Sequence, residues 1–131
     1  MEKVKCYKYM FIIGAVWNFS MSIPFIIISF IDMNLLTTLL GIQYSSTPLW
    51  LQSFFIFVLF FGIGYLWVGV KIDNNHAIIV LGTGLKILVF LFFLINYIIG
   101  ELSLPFVLAG TVDFIFSLLF VEFLINHVRN K

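Results

Sequence analysis

The sequence predicts an all-α integral membrane protein, a bundle of four transmembrane helices, and three observations lead to that prediction. Hydrophobic residues make up 63% of the 131 residues and charged residues only 10%, whereas a soluble domain is nearer half apolar and a quarter charged. The apolar residues fall in four stretches, each long enough to cross about 30 Å of hydrocarbon. The positive charges lie almost entirely outside those stretches. We therefore expect a single transmembrane domain over 1–131.

The four predicted spans cover 9–31, 49–70, 77–99 and 104–125. The first is too long for the apolar core of a signal peptide, about 7–15 residues, and no small-residue cleavage site follows it, so we expect a retained helix. Short loops join the last three spans, which predicts that these spans are sequential antiparallel neighbours.

The segment between the first two spans carries the signals of a short helix. Asp32 is a suitable N-cap, Met33, Leu36 and Leu40 share one helical face, and Gly41 provides a stop. An amphipathic helix of this kind can lie on the outer membrane surface, at the interface. It can also fold back over the bundle as a lid. The pattern favours the surface position.

The distribution of positive charge predicts the orientation. Six of the seven Lys and Arg residues fall on the side of the two termini: Lys3, Lys5, Lys8, Lys71, Arg129 and Lys131. The two loops on the other side contain Asp32 and Glu101 but neither Lys nor Arg. The positive-inside rule then predicts that both termini are cytoplasmic.

Lys86 is the one exception, because it lies near the middle of the third span. A charge at that depth costs roughly 2.5–3.5 kcal/mol on insertion scales, so it needs a partner, a cavity or a function. Helix rise places Lys86 about 20 Å, and Asp113 in the fourth span about 13 Å, below the outer span ends. An extended lysine covers that difference, which favours Asp113 as its partner over Glu122. Whether such a pair is a structural lock or a functional site stays open at this point.

Small and polar residues, with some Phe, recur at helical spacing in every span, as listed here from first to fourth: Gly14, Asn18 and Ser22; Ser53, Phe57, Phe60 and Gly64; Gly82, Lys86, Phe93 and Asn96 or Tyr97; Gly110, Asp113 and Ser117. Such rows are typical of packing faces between membrane helices. The functional interpretation is one polar pocket, ligand-binding or structural, formed by Lys86, Asp113, Asn18, Ser22 and Ser117. Gly62 and Gly64 would lower its wall from the second span.

Several classes of function find no support in the sequence. Cys6 is the only cysteine, so no intrachain disulfide or cysteine-rich metal or redox motif is possible. The net charge of +1 gives no electrostatic case for nucleic acid. His76 and His127 are predicted at the same membrane rim, with no third ligand evident. We therefore predict no metal site, no cofactor and no catalytic residue, and no catalytic sequence motif occurs.

The chain resembles the small bacterial four-helix membrane proteins called DoxX-like. The resemblance covers most of the chain and rests on GIGYLWVG at 62–69, LGTGLK at 81–86 and AGTVDFIFSLLF at 109–120. It implies a protein of the bacterial cytoplasmic membrane. Some named members of that group accompany membrane oxidoreductases that feed quinones, so the resemblance implies an accessory or small-ligand-binding role.

Three functional hypotheses follow, in this order. The first is a non-enzymatic bundle that binds a lipid-like or quinone-like molecule, or serves a partner membrane subunit, among membrane lipids. The second is a small proton-coupled transporter with Lys86 and Asp113 in its pathway. The third is a membrane enzyme acting on an isoprenoid, quinone or sterol-like substrate, with Asp113 as acid or base. The interior should discriminate among them: a dry seam, a water-accessible path or a closed pocket.

Overall fold

The computed structural model describes residues 2–42, 49–100 and 102–129. The helices of these ranges are, in chain order: α1 (Glu2–Ile31), α2 (Met33–Leu40), α3 (Leu49–Val70), α4 (His76–Ile98) and α5 (Leu104–Phe123), with a π-helical turn (Leu124–Val128) continuing α5. All except α2 are long and apolar enough to cross a membrane. The predicted all-α four-helix membrane bundle is confirmed. Glu101 and Lys131, which enter the orientation argument, lie outside the described residues.

The predicted spans agree with the helices except at the ends that carry charge. α1 begins at Glu2 instead of Tyr9, and the helical turns after α5 continue to Val128. Hydropathy marks only the part of a helix that fits hydrocarbon, whereas Lys, Glu and Tyr continue a helix readily into the polar interface. The membrane helices are therefore longer than their apolar runs.

The short helix α2 forms as its sequence predicts. Asp32 Oδ1 accepts hydrogen bonds from the backbone N–H groups of Asn34 (3.0 Å) and Leu35 (3.2 Å). Gly41 ends the helix with a φ of 65°, a left-handed conformation that glycine adopts without strain.

The favoured surface position of α2 is wrong, because the helix folds back over the bundle. Leu36 and Leu40 are buried in one cluster with Leu51, Phe55 and Phe106. The Ser103 hydroxyl, just before α5, donates a hydrogen bond to the carbonyl of Leu40 at 2.6 Å. The amphipathic sequence pattern suits either position equally. The end of the bundle gives the apolar face of α2 closer packing than the membrane surface would. The lid alternative is therefore correct.

The four long helices pair unequally. α1 packs along α3 and α4 packs along α5, whereas α3 and α4 meet over a much smaller surface. Sequential neighbours are thus confirmed for α4 and α5 but only in part for α3 and α4. The close approach of α3 to α1 requires Gly69, where an added Cβ would lie 2.8 Å from Ile12 Cγ1 and 3.3 Å from the carbonyl oxygen of Lys8.

Three of the four predicted small-and-polar rows face the interior, whereas the middle of the row on α3 faces outward. Phe57 and Phe60 of that row are 63% and 65% exposed. The buried residues of α3 are instead Leu51, Phe55, Gly62, Tyr65, Val68 and Gly69. Phenylalanine is as suitable for lipid as for a helix interface, so its spacing on an all-apolar helix does not distinguish the two faces.

The half of the bundle nearest the two termini has a dense aromatic core. Phe11 and Phe120 stack with ring centroids 4.8 Å apart, and Tyr7 meets Phe123 edge-on at 4.9 Å. Phe11, Phe120 and Phe123 are fully buried. This packing holds α1 and α5 in fixed register and so positions the polar residues one to two turns further along both helices.

Candidate functional site

The ammonium of Lys86 lies in the middle of the bundle between two polar side chains. Its Nζ donates to Oδ1 of Asp113 at 2.5 Å and to Oδ1 of Asn18 at 3.1 Å. The pairing of Lys86 with Asp113, which helix rise predicted, is confirmed. Asn18 also contacts Lys86, as its place in the predicted pocket requires. The competing acceptor, Glu122, instead accepts a hydrogen bond from the Tyr7 hydroxyl at 3.3 Å.

The polar contacts connect all four long helices. Lys86 belongs to α4, Asp113 to α5 and Asn18 to α1, and the Asn18 amide donates to the carbonyl of Val58 on α3 at 3.1 Å. Gly62 makes that last contact possible, because a Cβ there would lie 3.0 Å from Asn18 Cβ. The network therefore fixes which helix faces meet.

The cation is satisfied more completely than its counter-ion. The Lys86 side chain is 5% exposed, and its ammonium lies 5.2 Å from the ring centroid of Tyr65 and 5.6 Å from that of Phe116. Such cation–π contacts are strongest in desolvated sites. Asp113 is 22% exposed, and Oδ2 of its carboxylate has no hydrogen-bond partner among the described residues. The carboxylate is thus the group available to a ligand.

The other predicted site residues surround this network within the packed parts of the helices. Ser22 donates to the carbonyl of Asn18 at 2.7 Å, and Ser117 donates to that of Phe114 at 2.5 Å, each within its own helix. Gly64 packs against Ile78 of α4. The two serines and two glycines are therefore interior packing positions, and they do not line the cavity described next.

Tyr65 is a site residue that the sequence reasoning missed. It is completely buried, and its hydroxyl has no hydrogen-bond partner within the described part of the chain. The hydroxyl lies against Gly82, where any Cβ would clash with it. Its position gave no signal, because Tyr65 lies five residues before the end of α3, close to where interfacial tyrosine is expected.

A cavity of about 330 Å³ adjoins the network in the gap between α3 and α4. Its polar end comprises Lys86, Asp113, Asn18 and Tyr65, and its apolar wall is formed by Phe54, Phe57, Val58, Phe61, Leu85 and Val89. Phe57 lines the cavity and is nevertheless largely exposed on the outside of the bundle. The cavity therefore reaches the lipid-facing surface between these two helices.

Two further cavities border the first. One of about 150 Å³ lies beneath α2 and also touches Asn18 and Asp113. The other, about 490 Å³, continues the α3–α4 gap toward Trp50 and Asn96. Phe54 lines all three. The interior beside the ion pair is thus neither a dry packed seam nor a single closed pocket.

Comparisons with protein-family models, with curated proteins and with solved structures find no significant match to this chain. Within the described ranges no group of three or more His, Cys, Asp or Glu side chains could hold a metal ion. An assignment of function therefore rests on two features of this integral membrane protein. They are its four long apolar helices and the geometry of the Lys86–Asp113 site.

Proposed function

We propose that this protein is a non-enzymatic membrane bundle that binds one lipid-like or quinone-like molecule, either alone or on behalf of a partner membrane subunit. The observation that carries the proposal is a cavity that is open to lipid between α3 and α4 and ends on the Asp113 carboxylate. A ligand dissolved in the bilayer enters sideways, with its polar head toward Asp113 and its chain toward the lipid.

The chemistry of the site favours an uncharged head. Lys86 and Asp113 neutralise each other, so a charged head would bring a buried charge without a partner. Oδ2 of Asp113 can accept a hydrogen bond from a ligand, whereas the Tyr65 hydroxyl, unpaired among the described residues, is itself buried against Gly82. A hydroxyl on the head can donate to that carboxylate, whereas a carbonyl can only accept, from the remaining N–H of Lys86. The volume of about 330 Å³ lies at the low end of ligand pockets, about 300–1,000 Å³, so most of a long chain stays in the bilayer.

The binding test uses two substitutions on neighbouring residues of α4. Val89 lines the cavity, whereas Leu88 is 54% exposed on the lipid face. In detergent or nanodiscs, a short-chain quinone analogue or a long-chain alcohol should raise thermal stability, by about 2.7 kcal/mol at a hundredfold excess over Kd. Val89→Phe narrows the cavity and should reduce the shift, and Leu88→Phe should retain it. Equal shifts in the two variants would refute binding in this cavity.

A second candidate function is proton-coupled transport, and one observation favours it. Asp113 borders two cavities, one on the α3–α4 side and one beneath α2. A carboxylate accessible from two sides can exchange a proton in either. In proteoliposomes, ligand-driven proton uptake by the native protein would support the transporter. Binding without any proton flux in the native protein would exclude it.

The proposal also covers the orientation of the protein, the membrane in which it lies and the family that it resembles. We place both termini in the cytoplasm of a bacterium and retain the resemblance to DoxX-like proteins. Single cysteines in a Cys6→Ser background test the orientation, because Lys71 and Asn34 are exposed at opposite ends of the bundle. Lys71→Cys should react with an impermeant maleimide only after the cells are opened, and Asn34→Cys in intact spheroplasts. The reverse pattern would overturn the orientation.

A further inference from the structure

The cavity beneath α2 is a partly open chamber lined by residues of every helix of the bundle. Leu39 and Leu40 of α2 form its roof, and Ala109 of α5 forms part of its wall. Its volume is about 150 Å³. An engineered apolar cavity of about that size binds benzene, so the chamber has the size of a single ring.

The lining of this chamber suits a ring more than a linear chain. Six aromatic side chains line it: Trp17, Phe25, Phe54, Phe55, Phe93 and Phe106. Aromatic pairs gain attraction beyond the area they bury when they meet edge-on or offset. A flexible chain makes no such contacts and loses rotational freedom on entry.

The chamber is separated from the first cavity only by a thin wall. Both cavities are lined by Asn18, Phe54, Val58 and Asp113. Asn18 uses its amide on Val58 and its carbonyl on Lys86, which leaves the carboxylate of Asp113 as the polar group with spare capacity. Phe54, which is partly exposed and lines both spaces, lies where they adjoin.

We infer that the head of the bound molecule is a flat ring bearing a hydroxyl group, seated in the chamber beneath α2. The hydroxyl donates a hydrogen bond to Oδ2 of Asp113, and the chain passes Phe54 into the first cavity and out between α3 and α4. This inference rests on the proposed function and adds the shape of the head and the place where it lies.

The test compares probes of one chain length on the full-length protein. The probes are a para-alkylphenol, the corresponding para-alkylanisole and the primary alkanol. The phenol should bind roughly tenfold more tightly than the alkanol because of its ring contacts. The anisole should also lose roughly tenfold relative to the phenol, because its methylated oxygen cannot donate to the carboxylate.

Cavity-filling variants locate the ring. Ala109 and Met21 line only the chamber beneath α2, whereas Val89 lines only the first cavity. Ala109→Leu should remove the advantage of the phenol and leave alkanol affinity within about twofold, since added bulk there excludes only a ring. Val89→Phe should weaken all three probes. Met21→Trp narrows the chamber from α1 and replaces Ala109→Leu if that variant does not fold.

The outcomes separate this inference from the function on which it rests. Equal affinity for phenol and alkanol in the native protein, or an equal loss of both in Ala109→Leu, overturns the ring and leaves lipid binding standing. Equal affinity for phenol and anisole overturns the hydrogen bond to Asp113. Failure of every probe to bind the native protein overturns the proposed function itself.

Discussion

The two sides of α3 show how one apolar helix can be both tightly packed and loosely packed. Toward α1 it presents Gly62 and Gly69, and the two backbones approach until an added Cβ would lie within 3.0 Å of a neighbouring atom. Toward α4 it presents Phe54, Phe57 and Phe61, and a cavity of about 330 Å³ separates the helices.

The difference follows from what drives association in lipid. Lipid chains are as apolar as phenylalanine, so no hydrophobic force closes the gap between α3 and α4. Helices approach where small residues permit van der Waals contact and where polar groups need each other. The close side of α3 has both, through Gly62 and the Asn18–Val58 hydrogen bond. Toward α4 the helix comes close only where Gly64 meets Ile78 and Tyr65 meets Gly82. No hydrogen bond joins α3 to α4 among the described residues, and the gap remains open beyond those contacts.

The largest expected effect concerns Lys86 on α4 and Asp113 on α5. Lys86 also bonds to Asn18 of α1, so these contacts link three helices beside the gap between α3 and α4. Lys86→Met alone or Asp113→Asn alone strands a buried polar partner and should cost about 3–5 kcal/mol of unfolding free energy. The double substitution should recover most of that loss. Unfolding in mixed micelles with increasing denaturing detergent measures all three variants.

Lys71→Met is the control for the loss of a positive charge, because Lys71 is exposed. Its unfolding free energy should stay within about 0.5 kcal/mol of the native value. Losses that simply add in the Lys86 and Asp113 double variant would contradict the coupling.

An intermediate effect distinguishes two glycines. Gly62→Ala forces a Cβ to within 3.0 Å of Asn18 and should cost about 1–3 kcal/mol, because α1 and α3 must separate. Gly84 on α4 has no atom within 4 Å of its added Cβ, so Gly84→Ala should be neutral or stabilise by up to about 1 kcal/mol. Thermal unfolding in one detergent compares them. Equal losses would mean that helix propensity, and not close approach, sets the stability.

The smallest expected effect on stability tests the mouth of the cavity. Phe57 and Phe60 are almost equally exposed, but only Phe57 lines the cavity. Either residue changed to Ala should shift the unfolding free energy by less than about 0.5 kcal/mol. Phe57→Ala should speed ligand exchange, measured by displacement of a fluorescent lipid, and Phe60→Ala should not. Faster exchange in both variants would place the entrance elsewhere.

Part of the site could be predicted from the sequence because helix geometry is regular. Depth along a helix follows from residue count, so Lys86 and Asp113 could be matched across two spans before any contact was known. Asn18 could be added because it shares an interior row with Gly14 and Ser22. The α2 caps could be predicted because Asp32 and Gly41 act locally.

The rest could not be predicted, because it depends on which way each apolar face turns. Hydropathy is nearly uniform around α3, so the packed face with Tyr65 and the exposed face with Phe57 look alike in sequence. The sequence also did not show what the apolar face of α2 packs against, so α2 was predicted on the membrane surface instead of over the bundle.

The sequence by itself determined that four helices cross a membrane, with one lysine among them requiring a partner. Length, hydropathy and the cost of a buried charge are properties of single segments and need no knowledge of neighbours. Only the tertiary structure decided that α1 rather than α4 lies close to α3, that Gly62 and Gly64 pack rather than open a pocket, and that cavities adjoin Asp113. Those features depend on the fit between side chains of different helices, which apolar composition leaves undetermined.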